Sequence, residues 1–383
     1  MEGSGLSASI KEKAIAVGFD LVGVSPARSF PENQFFKVWL ERGYAAEMGY
    51  MERNPARRHS VSNLEPEARS VISCALNYNT AHPHSIERTD GRKGRISRYA
   101  WGEDYHSVME GKLTELLEFI KTVVNDKQLN SRLYVDTGPV LDRVYAKYAG
   151  IGWFGKNTCV INQQIGSWIF LGEIITSLEL QCDVPPPDRC GTCTRCIDAC
   201  PTGAIVEPYV LDSRLCISYL TIELRGRIPL ELREGMGNHI FGCDICQDVC
   251  PWNGKAKLTR EGSFEPGEAG DNPELSALAR MSRDEFDDVF MNSPIKRAKR
   301  GGLLRNIMVA MGNSGDKEFV PVIREALYDG DPLVRAHAAW ALWKLEGEGA
   351  LEELSTVLGH DGDPLVREEI EDILRVHRSA QRS

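Results

Sequence analysis

No run of eighteen apolar residues occurs among the 383 positions, so no segment can cross a bilayer as a helix. The opening MEGSGLSASIKEKAIAVGFD lacks the apolar centre of a secretion signal and contains no twin arginine, so a cytoplasmic protein that meets no membrane is expected. No glycine-rich stretch has the GxxxxGK[ST] order, which excludes a nucleotide P-loop. A net charge of −10 excludes a broadly basic nucleic-acid coat. Acid itself is missing from one stretch: between Val289 and Gly315 there is no Asp or Glu, while Lys296, Arg297, Lys299, Arg300 and Arg305 are all present. Such a run reads either as a solvated face or as a local phosphate-binding patch. The remaining composition, 42% hydrophobic and 26% charged, is that of an ordinary globular chain long enough for two or three domains.

What is present in excess is cysteine, and it is concentrated. Eight of eleven cysteines lie between positions 190 and 250. Cys190, Cys193, Cys196 and Cys200 follow C-x2-C-x2-C-x3-C with Pro201 after them, the run of two-cluster ferredoxins, in which the fourth cysteine serves the other cluster. A second copy has Cys243, Cys246, Cys250 and Pro251 but carries Ile240 where its first cysteine belongs, and the isolated Cys216 is the natural replacement. By ferredoxin analogy, Cys190, Cys193, Cys196 and Cys250 hold one [4Fe–4S] cluster, and Cys200, Cys216, Cys243 and Cys246 hold the other. Zinc sites use separated C-x2-C pairs and leave the third and fourth cysteines and the repeated proline without a reason. Disulfides suit an oxidising compartment and a small domain. Cys74, Cys159 and Cys182 fall outside the pattern and read as structural thiols.

Around the cysteines the chain changes character. The first ~180 residues alternate helical and strand-like patterns, with helices expected at Ser9–Val17, Gly111–Asn125 and Val140–Gly150 and strands at Phe19–Ser25, Ser70–Leu76, Arg132–Val135 and Trp168–Ser177. Pro185-Pro186-Pro187 marks a boundary. Near the end, DGDPLVR occurs at Asp329–Arg335 and again at Asp361–Arg367, with Arg305 expected at the head of an earlier, similar helix. A 32-residue helical repeat is the mark of a short HEAT-type solenoid. The expected division is 1–180 α/β, 181–255 cluster module, 256–275 linker and 276–383 repeats.

Three polar, glycine-bearing stretches of the first part carry candidate chemistry: Tyr99–His106, Val135–Arg143 and Gly150–Thr158. Glycines in GIGWFGKNT let backbone N–H groups approach an anion. Asp136, before a Gly-Pro turn, reads equally as a buried acid or as a turn aspartate bonding its own backbone. His106 alone reads as a structural histidine.

Taken together these stretches resemble the epoxyqueuosine reductase family. Its motifs DYH, DTGP-x-x-(D/E)-R, G-x-G-W-x-GKNT, CGTCT-x-C-x-x-ACPT and C-x-x-C-x-x-x-CPWN are matched at Asp104–His106, Asp136–Arg143, Gly150–Thr158, Cys190–Thr202 and Cys243–Asn253. Two departures are Glu103, where arginine is frequent, and Arg58-His59-Ser60, where Arg-Asp-Pro is common. The resemblance implies an α/β corrinoid-binding domain of reductive-dehalogenase/nitroreductase type, an inserted ferredoxin-like module with two [4Fe–4S] clusters and a HEAT-like helical domain. It implies an oxidoreductase that reduces the epoxide of epoxyqueuosine at the wobble position of tRNA to queuosine, with cobalamin fed by the clusters. It also implies a base-off cobalamin without a histidine ligand, since no D-x-H-x-x-G motif is present.

On that reading Asp136 is the proton donor, kept protonated by burial. Arg58, Arg143, Lys156, Asn157 and Thr158 are expected to bind corrinoid side chains and phosphate, and Tyr105, His106, Ser167 and Ser218 to wall the pocket. Arg225, Arg227, Lys296, Arg297, Lys299, Arg300 and Arg305, with Arg335 and Arg367, are expected to meet tRNA phosphates, which position RNA without reading it. The further expected partners are an external low-potential electron donor and no second subunit, the chain acting as a monomer.

Overall fold

The structure, a computed structural model, describes residues 3–53 and 55–380. Among them no helix is long and apolar enough to cross a membrane. The chain forms two compact units: residues 1–82, 102–214 and 245–265 make the first, and residues 83–101, 215–244 and 266–383 the second.

The first unit is built on a four-stranded antiparallel sheet in the order Leu21–Pro26, Ser70–Asn77, Ile169–Thr176, Ser131–Tyr134. The Ser70–Asn77 strand is buried at every position, which is why it reads as a nearly continuous apolar run rather than an alternating one. One face is covered by Gly3–Val17 and Tyr105–Val123. The latter helix buries Met109, Leu113, Leu116 and Ile120 at 3.6-residue spacing and starts at Asp104, whose side chain accepts from the His106 N–H. Gly172 is needed beneath it, since a Cβ there would lie 2.8 Å from Leu113 and 2.9 Å from Met109. The opposite face carries the short helix Asp142–Tyr148, which crosses three of the strands. It lies so close that a Cβ on Gly23 would meet the Ala149 carbonyl at 1.8 Å. In the same unit two four-residue helices, Arg195–Asp198 and Ile245–Asp248, pack together and carry Cys196 and Cys246.

The second unit is mostly helical. Lys299–Ser314, Pro332–Glu346 and Pro364–Ala380 pack in succession, with Val320–Ala326 and Leu351–His360 between them in sequence. The repeated heptapeptide has a clear job. Asp331 and Asp363 accept from the N–H groups of Leu333 and Leu365, and proline fills the first helical position of each following helix. Asp329 and Asp361 take ion pairs at 2.7 Å from Arg300 and Arg335, which lie on Lys299–Ser314 and Pro332–Glu346, two helices before the ones the aspartates lead into. Arg300, not Arg305, is therefore the counterpart of Arg335.

The compact units do not follow the consecutive segments expected from the sequence. The two-residue strand Arg95–Ile96 pairs in parallel with His239–Phe241, so residues 83–101 leave the α/β part and join the helical one. The cysteines divide accordingly: Cys190, Cys193, Cys196, Cys200, Cys246 and Cys250 belong to the first unit, Cys216 and Cys243 to the second.

Candidate active site and cluster ligands

Asp136 follows the Ser131–Tyr134 strand on a turn that only special residues favour. Its φ is +58°, and the Thr137 N–H closes on the Val135 carbonyl at 2.5 Å. A non-glycine residue held at positive φ costs about 1–3 kcal/mol and is tolerated where the surroundings enforce it. Gly138 permits the turn, because a Cβ there would strike the Tyr134 ring at 2.2 Å. The turn presents the Asp136 carboxyl outward.

Two groups address that carboxyl, and a third holds the turn that carries it. The Tyr105 hydroxyl donates to Oδ2 at 2.8 Å. The Tyr105 ring is fixed by stacking on Phe170, with centroids 4.3 Å apart and planes 2° from parallel. His106 Nε2, enclosed and without a hydrogen-bond partner, lies 3.9 Å from the same oxygen, while its Nδ1 is held 2.7 Å from Asp104 Oδ1. Arg58 donates towards the carbonyls of Gly138 at 3.4 Å and Tyr50 at 3.3 Å. Burial lowers the Arg58 pKa, opposed by the nearby Asp142, Tyr50 and Asp136.

The expected burial of Asp136 is not found: its side chain is 60% exposed. Burial falls instead on two carboxyls that sequence reasoning did not single out. Desolvation raises Asp142 to about 7, and Glu173 well above the usual range, each helped by the other's charge or that of Asp136. Glu173 had a signal in the sequence, as the lone acid in the apolar strand IFLGEIIT.

The other expected contacts sort by what they already hold. Lys156 Nζ donates to the carbonyls of Gly191 at 2.8 Å and Cys193 at 2.9 Å, fastening the first cysteine loop and keeping one donor in hand. Asn157, 5% exposed, donates to the Cys246 carbonyl and accepts from the Cys159 N–H. Ser167 is likewise committed: its hydroxyl donates to Gln247 and accepts from Asn253 at 2.9 Å, with 4% exposure. Asn157 and Ser167 are therefore anchors of the cysteine loops, not pocket surface. Arg143 is exposed and reaches Thr158, whose backbone is also at positive φ. A cavity of ≈ 360 Å³ is lined by Gly150, Ile151, Gly152, Trp153, Asn162 and Arg189 among others, and not by Asp136 or Tyr105.

The thiols of the first expected set converge. Cys250 feels the charges of Cys190 and Cys193, and Cys196 those of Cys250 and Cys190. Among the described residues no three His, Cys, Asp or Glu side chains close on a point tightly enough for a single ion. A cubane's ligands stand around a larger volume.

In the second unit the basic residues are largely paired. Arg305 is a correction: it is 0% exposed and donates to the carbonyls of Leu220, Leu224 and Gly226 and to Asn306, so it clamps a loop and cannot meet phosphate. Arg300 and Arg335 are tied into the repeat ion pairs. Arg297 pairs with Glu223 at 2.6 Å, Arg227 with Glu369 and Asp372, and Arg225 reaches the Ala298 carbonyl. Arg367 reaches the Leu358 and Asp361 carbonyls, Lys296 donates to the Met291 carbonyl at 3.3 Å, and both Lys296 and Lys299 are exposed. Ser218 sits on the Ile217–Ile222 helix directly after Cys216.

Comparison with known proteins agrees with this geometry. Residues 189–253 match a 4Fe–4S double cluster binding domain, residues 58–137 the epoxyqueuosine reductase QueG domain and residues 302–375 HEAT repeats. Epoxyqueuosine reductase of Pseudomonas aeruginosa is 42% identical over 88% of this chain and 94% of its own length. That of Escherichia coli K12 is 40% identical over 88% and 89%. Among solved structures, an epoxyqueuosine reductase crystallised with an epoxyqueuosine-modified tRNA-Tyr stem loop superposes with a TM-score of 0.90 at 33% identity, covering 97% of this chain and 98% of that one. A Bacillus subtilis epoxyqueuosine reductase whose catalytic aspartate loop is swung out of the active site gives 0.89 at 32%, covering 97% and 98%. The match runs through the Asp136 turn, the cysteine loops and the repeats alike, and the chain belongs to the epoxyqueuosine reductase family of oxidoreductases.

Proposed function

We propose that this protein reduces the epoxide of epoxyqueuosine at the wobble position of tRNA to queuosine, in the cytoplasm and as a single chain, using cobalamin and two [4Fe–4S] clusters supplied by an external low-potential donor. The observation that carries the reading is the Asp136 carboxyl held outward on a strained turn beside Tyr105 and His106, in a chain whose cysteine loops converge. The functional division runs along the chain: a corrinoid-binding α/β part at 1–180, clusters at 181–255 and repeats at 276–383.

Cys190, Cys193, Cys196 and Cys250 hold one cluster, which fits their mutual proximity. Cys200, Cys216, Cys243 and Cys246 hold the other, by analogy with two-cluster ferredoxins. The chemistry of the donors also fits a corrinoid, whose rim of amides and single phosphodiester needs hydrogen-bonding partners: exposed Arg143 with Thr158, the third donor of Lys156, and the orphaned Nε2 of His106. When bound, cobalamin supplies a low-valent metal able to activate a strained C–O bond. The rest falls to protein side chains. Tyr105 orients Asp136, and Asp136 protonates the oxygen as the ring opens, where negative charge develops most. Arg58 stabilises the turn from its Gly138 carbonyl. Ser218 adds to the cofactor wall, and Lys296 and Lys299, with the outer edges of Arg225, Arg227, Arg297 and Arg300, meet tRNA phosphates.

Anaerobic reconstitution with iron, sulfide and cobalamin tests the reading. Uptake of one corrinoid per chain and binding of an epoxyqueuosine stem loop in preference to an unmodified one are expected. Failure to take up corrinoid refutes it.

A further inference from the structure

Removing an epoxide oxygen as water consumes two protons, and a single carboxyl carries one. The structure holds a second acid function beside Asp136. Glu173 stands in the middle of its strand, in register with Ser73 on one side and Tyr134 on the other, so it neighbours the strand from which the Asp136 turn departs. Its carboxyl is 0% exposed and neither oxygen meets a hydroxyl, amide or cation. The hydroxyls of Ser73 and Ser25 on the same face are also buried without partners. What Glu173 does meet is the carboxyl of Asp142, the first residue of the helix laid across the sheet, whose Oδ1 is closed off from water as well. Flanking this row are two apolar clusters, one around Val71, Val144 and Ile175, the other around Ala75, Ala146 and Val160.

Two carboxyls in contact away from water cannot both ionise, so such a pair retains one shared proton at neutral pH. Burial is the leading cause at both groups, raising Asp142 to about 7 and Glu173 well above the usual carboxylate range. Both also sense the charge of Asp136. A glutamine at 173 would fill the same space and satisfy Asp142 without a shared proton.

We propose that the Asp142–Glu173 pair is a proton store that resupplies Asp136 within each turnover, an inference that rests on Asp136 being the acid of the proposed reaction. Asp136 first gives its proton to the oxygen as one epoxide C–O bond breaks. The pair then passes its proton to the Asp136 carboxylate, and Asp136 gives this second proton to the same oxygen as the other C–O bond breaks. The carbon–carbon double bond forms and water leaves. The two electrons come from the external low-potential donor, which is oxidised, and the pair regains its proton from solvent. An oxygen departing as alkoxide or hydroxide is a far stronger base than a carboxylate, so the sequence ends downhill.

The test uses Glu173→Gln and Asp142→Asn in the full chain. Infrared difference spectra of wild type against each variant at neutral pH should contain the carbonyl stretch of a protonated, buried carboxyl, a signal that needs no turnover. In the reconstituted enzyme each variant should lower kcat by about 100-fold, the scale of a lost proton-transfer function. The KM for the stem loop and the cluster and corrinoid spectra should stay unchanged, and the solvent deuterium isotope effect should rise. The double variant should be no slower than the single ones, because both remove one device. Absence of the carbonyl band in wild type, or wild-type kcat and isotope effect in Glu173→Gln, overturns the proposal. If Glu173→Gln fails to fold, Asp142→Asn and the wild-type band decide. Wild-type protein that shows the band yet leaves the epoxide intact refutes the proposed reaction and, with it, the resupply role, while the stored proton stands.

Discussion

The Tyr105 hydroxyl donates to Asp136 Oδ2 at 2.8 Å from a ring lying flat on Phe170. That bond aims the carboxyl of an otherwise exposed turn. Tyr105→Phe keeps the stacking and deletes only the donor. A hydrogen bond between neutral groups is worth about 0.5–1.5 kcal/mol, so kcat should fall by about 2- to 10-fold with little change in melting temperature. Asp136→Asn should retain clusters and cofactor and lose turnover almost entirely. Nucleoside analysis of the treated tRNA measures both.

The convergence of Cys250 with Cys190, Cys193 and Cys196 makes a prediction that simple sequence order does not. Cys190→Ser and Cys250→Ser should abolish the same cluster, each leaving roughly half of the iron and the same electron paramagnetic resonance signal. Cys200→Ser should remove the other signal. Different signals lost in the Cys190 and Cys250 variants would show that each run serves its own cluster.

Arg305 offers a contrast between a structural and a surface cation. Arg305→Met strands three carbonyls and the Asn306 amide oxygen, and at about 1 kcal/mol or more for each unsatisfied group the loss should reach at least ~3 kcal/mol. Scanning calorimetry should find the helical unit melting about 10 °C lower. Lys296→Ala with Lys299→Ala should leave the melting temperature in place, weaken stem-loop binding similarly across sequences and flatten its dependence on salt.

His337 makes stability depend on pH in the acid range. It is 0% exposed, accepts from the Ile228 N–H at Nε2 and faces the Leu333 carbonyl at Nδ1, so it is neutral in the fold. Burial lowers its pKa well below 6.5, and the charges of Arg233, Arg305 and Arg227 push the same way. Below its unfolded pKa near 6.5 the unfolded chain binds a proton that the native chain refuses, so stability falls as pH drops beneath that value. His337→Gln can imitate both hydrogen bonds. Its melting temperature should fall less steeply than that of wild type between pH 6.5 and 5, and parallel curves would contradict this.

Much of this was legible in the sequence, for reasons that differ by residue. The double-cluster domain was legible because 4Fe–4S binding dictates the spacing of cysteines in sequence. The DGDPLVR repeat was legible because its two aspartates do fixed work, one capping a helix and one pairing with an arginine two helices earlier. The helix start at Asp104 was missed because Asp-Tyr-His reads as chemistry when the aspartate is also a cap. Arg305 was misread because the carbonyls that bury it come from about 80 residues away, which charge counting cannot see. The composition of the two compact units was hidden for the same kind of reason, since residues 83–101 are tied to the helical unit by the pairing of Arg95–Ile96 with His239–Phe241. At the active site the need for a buried acid was anticipated but placed on Asp136. Burial is set by the strand register and the crossing helix, and these put it on Glu173 and Asp142.

The central claim is that the Asp136 site performs reductive opening of an epoxide on RNA. The most direct measurement is mass analysis of nucleosides from an epoxyqueuosine stem loop after anaerobic incubation with fully metallated, cobalamin-loaded protein and a chemical reductant. The account predicts conversion to the nucleoside lacking one oxygen, dependent on both cobalamin and Asp136. An unchanged epoxide with wild-type protein, or equal conversion by Asp136→Asn, would contradict it.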